Sequence, residues 1–167
     1  MLLNEGGNMK RKIFGLFFIM FFSLYPDISK CGPVTGICTA APACIPATRR
    51  CLILGYKIRG DQVSESEMST VKEITEILNN FLRKNAKIEI VGHTDNLESL
   101  QKMKLSRARA LETYNLMKEY GLREDIEVEI IGVGSLEAIA DNGSDIGRYL
   151  NRRVEILFDT KSLVWKY

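Results

Sequence analysis

From Cys51 onward the chain alternates between two hydrophobic periods, and this alternation restricts the fold more than any other sequence feature. Strand-like alternation over Leu52–Ile58 and Lys87–Val91 is separated by segments in which apolar residues recur every three or four positions. Further alternation of charged and apolar residues at Glu127–Ile130 and Arg153–Phe158 predicts two more strands. The predicted element order is therefore β-α-β-α-β-β.

The helical segments have recognisable ends. Ser64 and Glu67 stand at capping-box spacing and predict the start of the first helix. The second helix is expected from about Leu100 to Tyr120, with Gly121 as its C-terminal cap. Its inward-facing residues are predicted to be Leu105, Ala108, Leu111 and Leu116. Because each strand has one apolar face, we expect an α+β fold, a two-layer sandwich of a mixed sheet with helices on one face and a wet opposite face.

The N-terminal residues 1–30 have the features of a signal peptide. A basic cluster at Lys10–Lys12 precedes an apolar run from Ile13 to Tyr25, and Pro26 ends that run. A run of 13 residues is too short for a membrane-spanning helix, which needs roughly 20. Export is therefore expected, with Met9 as an alternative start and an uncleaved anchor as the alternative to cleavage.

Residues 31–50 are predicted to be a linker that contains prolines and three of the chain's four cysteines, and the fourth, Cys51, follows directly. In an oxidising compartment this predicts disulfides among Cys31, Cys38, Cys44 and Cys51, with three connectivities open. No gap between them is C-x-x-C, which disfavours zinc. Cys31 is also a candidate site for lipid attachment. Residues 51–160 are expected to form the folded domain and 161–167 a short tail.

Charge and histidine content exclude several classes of function. The formal net charge is +2, from 23 basic and 21 acidic residues, so no basic stripe for nucleic acid is expected. A single histidine, His93, removes most metal and acid–base sites that need two imidazoles. We therefore expect no cofactor, no metal and no nucleic-acid partner.

Three motifs carry side chains suited to ligand binding. The segment Gly92–Asn96 follows the second predicted strand, Leu105–Ala110 lies on the second helix, and Asn151–Ile156 opens the last strand. Taken singly, they also suit a turn, a solvated helix and a solvated edge. On a helix, Arg107 and Arg109 point about 200° apart, so one of them is free to turn toward Asp95.

Together these motifs resemble the OmpA-like C-terminal domain, the family of peptidoglycan-associated lipoprotein and of the wall-binding half of flagellar stator proteins. The similarity also includes Gly132–Gly134 and Ile139–Asn142 and extends from Leu52 to Phe158. It implies non-catalytic, non-covalent binding of peptidoglycan, anchoring the outer membrane or an envelope complex to the wall from the periplasm. The implied ligand-binding residues are Asp95, Arg109 and Thr94, and the implied supporting residues are Asn96 and Arg153.

The implied ligand is the diaminopimelate of the peptide stem, whose tip is a zwitterion. Arg109 would bind its carboxylate bidentately and Asp95 its ammonium. The sequence departs from the family at Lys102, where an asparagine is common, and near Leu97 and Glu98, where a glycine is common. Two alternatives remain: an envelope protein–protein interaction module without wall binding, and a cell-wall hydrolase that uses Asp95 or Glu98 with His93.

Overall fold

A mixed sheet with the strand order β1-β2-β5-β3-β4 is the centre of the fold. The computed structural model describes residues 44–45, 49–98 and 101–164. The strands are β1 (Cys44–Ile45), β2 (Arg50–Ile53), β3 (Lys87–Gly92), β4 (Glu127–Gly132) and β5 (Val154–Phe158). Strands β3 and β4 run parallel, and the other neighbouring pairs are antiparallel. The carboxyl ends of β3 and β4 therefore meet at one edge, with the start of β5 between β3 and β2 beside them.

Three α-helices connect the strands: α1 (Glu65–Phe81), α2 (Lys102–Glu119) and α3 (Asp145–Asn151), and a 3₁₀-helix (Thr160–Ser162) follows β5. The predicted α+β class and the two long helices are confirmed. Helix α3 was not predicted, because seven residues are too few to establish a helical period. Its start is nevertheless capped, since the Ser144 hydroxyl accepts from the Gly147 amide at 3.0 Å.

The core lies between the helices and one face of the sheet. Strand residues such as Ile53, Ile90 and Ile156 pack there against the stripe of α1 that contains Ile74 and Leu78, and all five are 0–1% exposed. The N-terminus of α1 lies where the sequence predicts it, although the Ser64 hydroxyl contacts Ser66 rather than capping the helix. Burial of these branched side chains is the main stabilising term.

The buried face of α2 differs from the predicted one. Its buried residues are Ser106, Arg109, Ala110, Thr113 and Met117, whereas Leu111 is 48% exposed. The expected end of the helix is confirmed, since Gly121 has a φ of +83° and donates to the Lys118 carbonyl. The polar residues face inward because this side of α2 contributes to the candidate site rather than only to the apolar core.

Two glycines bring α2 unusually close to the sheet. Gly92 and Gly132 are register partners at the ends of β3 and β4. A β-carbon on Gly92 would lie 1.8 Å from the Ser106 carbonyl oxygen, and one on Gly132 would lie 2.5 Å from the Arg107 amide nitrogen. This close approach places Arg109, one turn beyond Ser106, beside the loop that follows β3.

Two strand predictions need correction. The first strand was expected over Leu52–Ile58 but is Arg50–Ile53, and the chain turns away at Gly55, whose φ is +78°. The sheet face that was predicted to be exposed to solvent is also partly buried. Arg153, which directly precedes β5, and Glu155 on β5 are 1% and 4% exposed. They are buried because their opposite charges form an ion pair at 2.6 Å.

Part of the predicted linker belongs to the sheet. Strand β1 lies within 31–50 and pairs with β2, so that Cys44 is opposite Cys51 in the register. The predicted signal peptide, Cys31 and Cys38 lie outside the described residues. Among the residues that are described, no helix combines the length and the apolar character needed to cross a membrane.

Candidate functional site

The candidate site is built from four segments that meet at the carboxyl end of β3. They are the turn at 57–60 after β2, the loop at 93–98 after β3, the first half of α2, and Arg152, which follows α3. Each segment contributes a polar group that is held by another segment. The sequence motifs that were far apart along the chain therefore lie together here.

Arg109 forms a buried bidentate ion pair with Glu98. The guanidinium nitrogens Nη1 and Nη2 lie 2.8 and 2.5 Å from Oε2 and Oε1, and both side chains are 0% exposed. A planar guanidinium and a carboxylate match in this parallel geometry, which gives strong and directional hydrogen bonds. In this structure the carboxylate that Arg109 binds therefore belongs to the chain itself.

Arg109 is also held by the backbone and by an aromatic ring. It donates to the carbonyls of Gly60, His93 and Lys57 at 2.8, 2.9 and 3.0 Å. Its Cζ lies 5.2 Å from the centroid of the Tyr56 ring, a cation–π distance. Burial raises the pKa of Tyr56, whose hydroxyl is bonded to Thr113. The orientation of the guanidinium therefore does not depend on Glu98 alone.

Asp95 is 1% exposed and is held in a tight turn. Its Oδ1 accepts from the amides of Leu97 and Glu98, both at 2.9 Å, and its Oδ2 accepts from Nη1 of Arg152 at 2.6 Å. Arg152 also donates to the Tyr56 carbonyl. The carboxylate therefore closes the loop on itself and ties it to the residue that follows α3.

Asp95 and Arg109 converge on one oxygen. The Asp95 amide donates to Glu98 Oε2 at 3.2 Å, and Nη1 of Arg109 donates to that same oxygen at 2.8 Å. The amide of Arg59 donates to the other oxygen, Oε1, at 2.9 Å. One carboxylate is thus held by two backbone amides and a guanidinium. Chemically, the arrangement is a carboxylate receptor.

The other predicted residues lie around this receptor in different roles. Thr94 is 1% exposed, and its amide donates to the Gly134 carbonyl. Asn96 is exposed, and its carbonyl accepts from Lys102 at 2.9 Å. Arg153, the other implied supporting residue, bonds Glu155 and the Glu137 carbonyl, whereas Arg152 bonds Asp95. Side chains of consecutive residues in extended backbone point to opposite sides, so only one of these two arginines, Arg152, faces Asp95.

His93 lies away from the two site carboxylates. Its ring is 1% exposed, its nearest carboxylate is Glu155 at 3.7 Å, and neither ring nitrogen has a hydrogen-bond partner among the described residues. Burial, reinforced by Arg153 and Arg50, lowers the pKa of His93 to about 3. A neutral ring facing Glu155 does not support a hydrolase in which His93 assists Asp95 or Glu98.

The residues that sequence reasoning missed are Arg152 and the receptor's backbone donors. Glu98 is recognisable in the sequence as a departure from the family, but its pairing with Arg109 is not. Its spacing of three residues from Asp95 is a signal for a turn that brings both carboxylates together. Across residues 49–98 and 101–164, no group of three histidine, cysteine, aspartate or glutamate side chains is arranged to hold a metal.

Known proteins resemble well over half of this chain. It is 34% identical over 110 residues to the sodium-type flagellar protein MotY of Vibrio parahaemolyticus, a match that covers 62% of this chain and 35% of that protein. The chain therefore spans about a third of the length of this curated relative. The C-terminal domain of Helicobacter pylori MotB superimposes with a TM-score of 0.58 at 26% identity, covering 65% of this chain and 84% of that one.

A third similarity is to the cell wall anchor of the T6SS from Pseudomonas aeruginosa. Its TM-score is 0.52 at 28% identity, and the match covers 65% of this chain and 80% of that one. The family model described as the OmpA family matches residues 56–152, a range that includes Asp95, Glu98, Arg109 and Arg152. By fold, motif order and family match, the chain belongs to the OmpA family.

Proposed function

We propose that this protein binds peptidoglycan without reacting with it and anchors the outer membrane or an envelope complex to the cell wall. The similar solved structures include a cell wall anchor, and the similar curated proteins include a flagellar protein and outer membrane porins. These relatives support an envelope location and a binding role. The site itself supports the same role, since its polar groups are arranged to hold a charged group.

The observation that carries the proposal is the convergence of Arg109 and the Asp95 amide on a single carboxylate. A stem carboxylate that replaced Glu98 would meet the same donors at hydrogen-bond distance. The stem ammonium would lie toward Asp95, whose Oδ2 retains acceptor capacity beside Arg152. We therefore propose that diaminopimelate is the recognised part of the stem.

Binding of a single stem should be weak. A charge-assisted hydrogen bond contributes roughly 1.5–3 kcal/mol net, but the stem must displace an ion pair that is already formed and buried. Asp95 and Arg109 are 1% and 0% exposed, so the loop at 93–98 must open before a ligand reaches them. Retention at the wall would then come from the high local density of repeated stems.

Co-sedimentation with purified sacculi tests this function. The variants Asp95→Asn and Arg109→Lys keep most of the side-chain volume, while alanine at either position would break a buried ion pair. Wild-type protein is expected to sediment with sacculi, and each variant to bind at least about tenfold more weakly, because it loses a charge or the bidentate fork. Circular dichroism would verify that both variants are folded.

Arg107→Lys is the matched control, since it makes the same substitution two residues away on the exposed side of α2. It should sediment like the wild type. Unchanged sedimentation of Asp95→Asn and Arg109→Lys would remove the proposed site. Free diaminopimelate should compete for binding better than lysine, which lacks the second carboxylate.

A second candidate function is an envelope protein–protein interaction module that does not bind the wall. The Glu98–Arg109 pair favours it, because the arginine is already neutralised within the chain. Exposed Ile58 and Leu97, at 65% and 63%, flank that pair and suit contact with a protein surface. This second function would be supported if wild-type protein stayed in the supernatant when the sacculi were pelleted.

We also propose a periplasmic, outer-membrane-associated location with disulfides among the four cysteines. Cys51 is 0% exposed and is not a free thiol, and it stands opposite Cys44 in the β1–β2 register. Residues opposite each other in antiparallel strands have Cα atoms about 4.5–5.5 Å apart, within the range for a disulfide. We expect mass analysis after alkylation without reduction to find Cys44 and Cys51 unmodified and linked to each other. Alkylated Cys51 would contradict this pairing.

A further inference from the structure

The Glu98 carboxylate is held like a bound ligand rather than like a surface charge. Each of its oxygens accepts one guanidinium N–H of Arg109 and one backbone N–H, from Arg59 at Oε1 and from Asp95 at Oε2. Arg59 has a φ of 59°, a left-handed conformation that costs free energy for a non-glycine residue. A residue in this strained turn thus supplies one of the four N–H donors of the carboxylate receptor.

Most of the contacts that position the carboxylate receptor do not involve Glu98. Arg109 keeps its bonds to three backbone carbonyls and its contact with the Tyr56 ring, none of which involves Glu98. Asp95 keeps its bond to Arg152. Glu98, in contrast, lies in the loop that follows β3, next to the 63% exposed Leu97. Displacement of Glu98 from Arg109 would therefore leave the receptor's N–H donors free to bind another carboxylate.

We propose that Glu98 is an internal competitor for this receptor and determines which ligands can enter it. The inference deepens the proposed function and rests on it. A ligand carboxylate must displace Glu98 from Arg109, and the displaced carboxylate then lies beside Asp95 and the incoming anion. A simple carboxylate leaves that excess of negative charge uncompensated, whereas the ammonium of a zwitterion neutralises it. Glu98 thereby selects an amino-acid tip over a plain dicarboxylate.

Acetate provides a test that needs no peptidoglycan. Glu98→Ala leaves the buried Arg109 unpaired and is expected to lower the melting temperature. Sodium acetate should raise the melting temperature of Glu98→Ala by at least roughly 2 °C above sodium chloride at the same ionic strength, because it refills the receptor. Wild-type protein should respond equally to the two salts. The control is Glu73→Ala, which removes an exposed glutamate from α1 and should also respond equally to both salts.

Binding measurements test the selectivity directly. Folded Glu98→Ala should bind sacculi roughly tenfold more tightly than wild type, and its preference for diaminopimelate over pimelate should fall by at least about tenfold. If Glu98→Ala does not fold, Glu98→Gln replaces it, since the amide keeps the shape but pairs weakly with Arg109. An equal response of Glu98→Ala to acetate and chloride would overturn the inference, as would unchanged sacculus binding and selectivity.

The acetate and sacculus experiments together distinguish failure of the inference from failure of the proposed function. If neither wild type nor variants bind sacculi while acetate still rescues Glu98→Ala, the wall-binding function is lost but the occupied receptor stands. If wild type binds sacculi through Asp95 and Arg109 and the Glu98 variants behave identically to it, the function stands and the competitor role is lost.

Discussion

Replacing Arg109 with alanine is expected to destabilise the protein by roughly 3–5 kcal/mol. The change removes five hydrogen bonds from the guanidinium and leaves the Glu98 carboxylate buried without its ion-pair partner. Urea denaturation followed by circular dichroism measures the loss. The Glu98→Ala/Arg109→Ala double variant should lose less than the sum of the two single variants, because the two residues form one interaction.

The neighbouring Arg107 supplies the control for this prediction. Its guanidinium is exposed and donates to the Ile130 carbonyl, so Arg107→Ala should change the free energy of unfolding by only about 0.5 kcal/mol. An Arg109→Ala variant within about 1 kcal/mol of wild type would show that the buried pair with Glu98 does not exist in solution.

Gly92→Ala is expected to lower the free energy of unfolding by roughly 3 kcal/mol. The added β-carbon would lie 1.8 Å from the Ser106 carbonyl oxygen and 2.7 Å from its carbonyl carbon. Both are backbone atoms of α2, which cannot move aside without separating the helix from β3 and β4. Since α2 also holds Arg109, the same displacement should weaken sacculus binding.

Gly60→Ala is the matched control, because a β-carbon there would meet its nearest neighbour, the Lys57 β-carbon, at an ordinary 3.4 Å. Its expected loss is within about 1 kcal/mol. Thermal unfolding of the three proteins measures both effects. Equal melting temperatures for Gly92→Ala and wild type would mean that α2 does not pack on the strand ends as described.

The fold class and the order of the two long helices and the four longer strands were predictable because they depend on period, which is a local property of the sequence. The alternation at Lys87–Val91 and the stripe that contains Val71 and Leu78 report directly which faces are buried. The buried face of α2 was predicted wrongly for a physical reason. There, Ser106 packs against glycines and Arg109 is neutralised by Glu98, so polar residues are buried while Leu111 is exposed.

The candidate site was predictable as a location but not as a set of partners. The family resemblance implied Asp95 and Arg109, and the structure places them on one carboxylate. Which of Arg152 and Arg153 faces Asp95 depends on how the chain enters β5, a geometric detail that sequence alone leaves open. Pairing of Glu98 with Arg109 depends on the turn formed by Asp95, which is a tertiary arrangement rather than a local pattern.

The carboxylate receptor is tested most directly by titrating ¹⁵N-labelled protein with a diaminopimelate-containing stem peptide and following the Arg109 Nε–H resonance. We predict that this resonance, which reports on the guanidinium whose Nη atoms bond Glu98, shifts together with the backbone amides of Asp95 and Arg59, which donate to the same carboxylate. A lysine-containing stem should shift them much less. Sacculus binding with all three resonances unmoved would contradict the receptor and place wall recognition elsewhere on the protein.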